Sequence, residues 1–126
     1  MNILLVLKVV GRILKLEAAA MVIPLVVAAA YQEDPTPFLS SILLVALTGF
    51  LLSLLPARRH FYIREGFACV GLIWIITGVV GALPFWFSGY FNSLVDCIFE
   101  SCSGFTTTGA SILTDIEALP KGILFW

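Results

Sequence analysis

Two stretches of this chain, Phe38 to Leu55 and Phe67 to Ser88, run for 18 and 22 residues without a single charged side chain. A helix of about 20 apolar residues, rising ~1.5 Å per residue, is what crosses the ~30 Å hydrocarbon core of a bilayer. Backbone entering that core finds no water to bond, so each crossing segment must satisfy its own N–H and C=O groups as a helix. Composition agrees: 60% of the residues are hydrophobic and 12% charged, and the mean hydropathy is +1.07. Soluble domains carry about a quarter charged residues. The chain is therefore expected to be an all-α integral membrane protein living in a lipid bilayer. No nucleic-acid partner is implied.

A third span lies at the N-terminus, where Ile3 to Ala30 has a helical pattern. At ~100° per residue, Lys8, Arg12 and Lys15 fall within about 60° of one another as a basic stripe. Ala18 to Ala30 is free of charge for only 13 residues, so the embedded part begins near Ile13, with Lys15 reaching back to the interface and Pro24 expected to kink the helix. The Ala18-Ala19-Ala20 run is not read as a cleavage site, because no basic segment precedes the short apolar run Ile3 to Leu7. Tyr31 to Pro37 is a polar turn, and Pro56 closes the second span. In the third, Gly78 and Ala82 have the spacing that lets helices approach closely, and Phe85, Trp86, Phe87, Tyr90 and Phe91 read as an interfacial aromatic belt.

Six of the seven Lys and Arg residues lie in the N-terminal segment and the 56–66 loop, with Arg58, Arg59 and Arg64 as topology determinants. Three alternating spans put both on one side, which the distribution of basic residues makes cytoplasmic. The opposite segments, 31–37 and 89–118, carry Glu33, Asp34, Asp96, Glu100, Asp115 and Glu117 and no base. They form an acidic outer vestibule that would concentrate cations.

Between the third span and Leu119, where a fourth begins, stands SLVDCIFESCSGFTTTGAS, residues 93–111. Ser93 with Asp96 is a helix start, and Leu94 to Ser103 gives roughly 15 Å of helix, about half a bilayer core. Gly104 is the expected helix stop. Phe105 to Thr108 is expected to be extended, before Gly109 at a position free to take positive φ. The unpaired carbonyls and negative dipole end of such a half-helix favour a cation. Carbonyls of Thr106, Thr107 and Thr108, turned the same way with the help of Gly109, can replace an ion's hydration shell. The alternative is a threonine-rich external turn.

Other residues carry plainer expectations. Glu17 faces away from the basic stripe and enters an apolar stretch, which makes it a functional candidate, though a structural pair near the interface is favoured. Asp96 and Glu100, four apart on one helix face, are read as vestibule or packing residues. Cys69, Cys97 and Cys102 are read as small core residues. With His60 as the sole histidine, in a basic loop, the chain offers no nucleophile–base pair. No enzyme activity, catalytic residue, cofactor or metal beyond a transported ion is expected.

The segment FESCSGFTTTGAS closely resembles the first pore loop of the Trk/Ktr/HKT superfamily of potassium transporters, in particular its bacterial TrkH-type branch. The likeness extends to VVGRILKLEAAAMVIPL, LLPARRH, LPFWFS and LPKGILFW. It implies two N-terminal transmembrane helices, here residues 1–56, and a first pore repeat, here 57–126, of a fold with four repeats around one pseudo-fourfold pathway. It implies that Thr107 and Thr108 are this repeat's K+ ligands, with Thr106 and Gly109 completing the filter strand. It also implies the bacterial cytoplasmic membrane, a cytoplasmic N-terminus, a homodimer, and a cytosolic TrkA-type nucleotide-binding regulatory subunit. One loop is one quarter of a coordination cage, so a fragment lacking three further pore repeats is expected. The competing class is a non-transporting membrane interaction protein.

Overall fold

A computed structural model of the chain describes residues 2–57, 60 and 62–126. Among these there is no strand, and three helical spans are long and apolar enough to cross a membrane: Ile3–Ala30, Thr36–Ser53 and Ile63–Ser88. The first is α1 (Ile3–Ala20) followed by α2 (Val22–Ala30), the second is α3 (Thr36–Ser53), and the third is α4 (Ile63–Val80) with α5 (Leu83–Ser88). The half-length helix α6 (Leu94–Phe105) and the short α7 (Lys121–Phe125) complete the chain.

Both composite spans break for one reason. Pro24 has no N–H for the carbonyl of Ala20, and Pro84 has none for that of Val80, and these are the residues at which α1 and α4 end. The expected kink thus lies one turn before the proline, at Met21. The indole N–H of Trp126 donates to the Gly81 carbonyl at 2.8 Å, so a distant side chain holds the backbone at the second break.

α1 and α3 cross where glycine meets glycine. A Cβ on Gly11 would lie 2.7 Å from Leu52 Cβ and 2.8 Å from the Gly49 carbonyl, and one on Gly49 would lie 2.9 Å from the Gly11 carbonyl. Such an approach replaces hydrophobic drive, which is weak between helices in lipid, by close packing. The basic stripe closes the crossing: Lys8 donates to the Leu55 carbonyl at 3.1 Å and Lys15 to the Ser53 hydroxyl at 3.2 Å, both at the negative end of α3. Glu65, 2% exposed, joins α4 to the N-terminus by accepting from the N–H groups of Asn2 and Tyr62, at 2.5 and 3.1 Å. The N-terminus and the loop before α4 are therefore at one end of the bundle, as the charge distribution requires. Arg58 and Arg59 lie outside the described residues.

Three expectations need correction. The aromatic cluster is not one belt: Phe85 and Phe91 are buried and pair at 5.2 Å, while Trp86, Phe87 and Tyr90 face outward. Glu33 is not a free vestibule charge, because its two carboxylate oxygens accept from the N–H groups of Lys121 and Gly122, at 2.6 and 2.9 Å, and tie α7 to the end of α2. Glu17 has no structural pair: it is 6% exposed, and neither carboxylate oxygen has a hydrogen-bond partner among the described residues. It lies seven residues from Val10 and four from Met21, on the packed face of α1, whereas the lysines turn to α3.

A buried carboxyl without partners is a burden on the fold, of about 1–3 kcal/mol. Glu17→Leu should therefore raise the thermal unfolding midpoint of the detergent-solubilised protein. A lowered midpoint would mean that Glu17 makes a stabilising contact. At the start of α3, Asp34 accepts from both the N–H and the hydroxyl of Thr36, which holds its carboxyl below the usual 3.8. A carboxyl with a depressed pKa stabilises the fold above its unfolded value and loses that contribution as pH falls through the folded one. The unfolding midpoint of Asp34→Asn should thus differ from wild type at neutral pH, and the two should converge once pH falls below the depressed value.

Candidate functional site

The half-length helix begins as its sequence requires, with the Ser93 hydroxyl accepting from the Asp96 N–H at 3.2 Å. It runs 12 residues, two beyond the expected ten, through Gly104 to Phe105. Its back lies on the small-residue face of α4. A Cβ on Gly78 would sit 2.5 Å from the Cys102 sulfur, and one on Gly81 would sit 2.5 Å from the Phe105 ring and 2.6 Å from the Ser101 hydroxyl oxygen. The expected close helix packing thus has α6 as its partner, with Gly81 in the role assigned to Ala82. The Phe105 ring meets Trp126 edge to face at 6.0 Å, which fixes the helix end from a second side.

What ends the helix is not Gly104. Thr107 takes a positive φ of 57°, its N–H bonds the Gly104 carbonyl at 3.1 Å, and the Thr108 N–H bonds the Ser103 carbonyl at 3.0 Å. These two bonds define a Schellman cap, with threonine in the left-handed position that glycine commonly fills. A β-branched residue there is strained, and strain of this kind persists only where surrounding contacts over-determine it. The Thr106 N–H and hydroxyl both donate to the Cys102 carbonyl, at 2.9 and 2.7 Å, and the hydroxyls of Thr106 and Thr108 are 2.8 Å apart.

The cap corrects two readings. Thr106 and Thr107 are not extended, and the terminal carbonyls of Cys102, Ser103 and Gly104 are engaged by loop donors rather than left bare for an ion. The dipole of α6 remains, with its negative end at the loop. Gly109 does adopt positive φ, at 73°, with nothing within 4 Å of where a Cβ would be, so its requirement is conformational and not steric. Gly104 to Ser111 are all exposed, so the four predicted site residues, Thr106, Thr107, Thr108 and Gly109, present one accessible turn at the helix end.

Two residues that hold the outgoing strand were not singled out for this from sequence. The Ser103 hydroxyl donates to the Ala110 carbonyl at 2.5 Å, and Glu100 accepts from the Ile112 N–H at 3.3 Å. Their signal was a polar pair one helical turn apart, pointing to the side on which the chain returns. Engagement of Glu100 by an amide also eases its repulsion with Asp96. Behind the loop lie cavities of about 180 and 170 Å³, both bordered by Phe85, Glu100, Gly104 and Trp126.

Comparison with known proteins places this geometry in a context. No protein-family model matches the chain. It is 39% identical over 123 residues to the Trk system potassium uptake protein TrkH of Escherichia coli K12, covering 94% of this chain and 26% of that protein. It is 36% identical over 126 residues to the TrkH of Vibrio parahaemolyticus, with 96% and 26% covered. To an uncharacterized cation transporter of Methanocaldococcus jannaschii it is 31% identical over 122 residues, again with 96% and 26% covered. The chain spans about a quarter of the length of these relatives. These relatives are transporters, not enzymes. Along nearly all of its own length, then, this membrane chain is similar to Trk system potassium uptake proteins, matching about a quarter of such a protein.

Proposed function

We propose that this chain supplies one of four pore loops of a potassium-uptake pathway across the bacterial cytoplasmic membrane. The observation that carries the reading is the exposed Thr106–Gly109 turn at the dipole-negative end of a helix too short to span a bilayer. Non-helical backbone at such depth is tolerated only where it is buried in protein or lines water. The carbonyls of Thr107 and Thr108, flanked by Thr106 and Gly109, are the groups we assign to K+. The relatives are about four times as long as this chain, which leaves room for three further repeats. The N-terminus, at the same bundle end as Arg64, is cytoplasmic in this reading. A homodimer and a cytosolic TrkA-type nucleotide-binding subunit follow from the resemblance to TrkH-type proteins.

The test is growth of a potassium-uptake-deficient bacterium at low external potassium. It would express a chimera in which these 126 residues replace the matching quarter of the Escherichia coli relative. Rescue is expected. A chimera that reaches the membrane and fails to rescue would favour a non-transporting interaction protein.

A further inference from the structure

We infer that Glu100 is a positioning residue for the ion path, setting ion preference by fixing the outgoing strand of the threonine loop through the Ile112 amide. The inference rests on the reading of that loop as part of a potassium pathway. By position alone, an acidic residue near the middle of a pore helix would be a source of negative potential towards the vestibule. Its geometry here is different.

The loop is anchored on the incoming side by the Schellman cap, which fixes Thr106, Thr107 and Thr108 to the end of α6. On the outgoing side its ties are Ser103 to Ala110 and Glu100 to Ile112, at 2.5 and 3.3 Å. Ser103 and Glu100 are three apart, on one face of a helix, and Ala110 and Ile112 are two apart on the irregular segment that leaves the turn. The two ties therefore act as parallel straps.

Packing takes over only at Leu113, which is half-buried against the core. Before it, the residues from Gly104 to Ile112 are exposed and a cavity of about 180 Å³ lies behind Gly109, Ala110 and Ser111, so that stretch has little apolar contact to hold it. Gly109, with open space around its Cα, is the free joint between the two anchored ends. Releasing the Ile112 end leaves the Ser103 bond to Ala110 as the one tie beyond that joint, so the Gly109 carbonyl gains freedom while Thr108 stays on the cap. A filter whose carbonyls wander loses its preference among cations before it loses conduction.

The experiment compares Glu100→Ala with Glu100→Gln in the Escherichia coli chimera, reading the ratio of potassium to sodium uptake. Glutamine keeps a carbonyl acceptor for the Ile112 N–H and removes the charge, and alanine removes both. E100A should lower the ratio by about tenfold, and E100Q should restore most of it. A vestibule charge predicts the opposite pattern, in which both variants slow uptake at low ionic strength and leave the ratio unchanged. That pattern would overturn the inference. In parallel, hydrogen exchange at the Ile112 amide is measured on the 126-residue chain in bilayer nanodiscs. Exchange should be slow in wild type and E100Q and fast in E100A, and equal rates in all three would also overturn it. No uptake by the wild-type chimera would instead sink the potassium reading, leaving the strap to be judged by the exchange rates.

Discussion

Gly81→Val should abolish potassium-dependent growth in the chimera and lower the unfolding midpoint of the chain. The substitution has nowhere to put its first carbon: 2.5 Å from the Phe105 ring, 2.6 Å from the Ser101 hydroxyl oxygen and 3.0 Å from the Thr77 carbonyl. Phe105 is the last residue of α6, so pushing it away displaces the threonine turn and breaks its edge-to-face contact with Trp126. Trp126 in turn bonds the Gly81 carbonyl, so the same change strains that hydrogen bond. Overpacking of this kind costs about 1–3 kcal/mol or more. Gly71→Val is the control, since a Cβ at Gly71 meets nothing within 4 Å on the same helix. Equal effects of the two substitutions in growth and midpoint would mean that the seat of α6 on Gly81 does not position the loop.

Thr107→Gly should do two things at once. It removes the Cβ from a left-handed position that costs an ordinary L-residue roughly 1–2 kcal/mol, so the unfolding midpoint should rise or hold. It also frees the loop at its incoming anchor, so potassium-over-sodium preference should fall by about tenfold or more, as the carbonyls of Thr107 and Thr108 lose their fixed direction. A gain in stability with a loss of preference is the mark of strain kept for function. Unchanged preference would show that the left-handed Thr107 is not part of the ion path.

The spans were legible because their signal is thermodynamic and local. Eighteen uncharged residues from Phe38 to Leu55 leave no other structure in a bilayer, and the basic residues mark one bundle end. Pro24 marked a break, displaced by one turn because the lost bond belongs to the carbonyl four residues back, and Pro84 breaks the third span in the same way without having been read so. The site was legible as a place. Thr106 to Gly109 fall on one turn at the end of a half-length helix, with Gly109 at positive φ as its open surroundings permit.

Its internal geometry was not legible, because Gly104 is the locally preferred stop and tertiary ties moved the stop to Thr107. Carboxylates misled for a similar reason. Glu33 looks like a surface charge in sequence, yet it binds two backbone N–H groups brought from the far end of the chain, and only the fold reveals those partners. Glu17 misled the other way: its neighbours in sequence include a lysine, but Lys15 reaches to Ser53 and leaves it alone.

The most direct measurement is anomalous X-ray scattering from crystals of the chimera grown with thallium(I), a potassium-sized cation that scatters strongly. If the Thr106–Gly109 turn lines the ion path, a peak should lie in contact with the carbonyl oxygens of Thr107 and Thr108 and vanish when potassium is added in excess. Thallium peaks elsewhere in the chimera's pathway, with none touching this turn, would contradict the account.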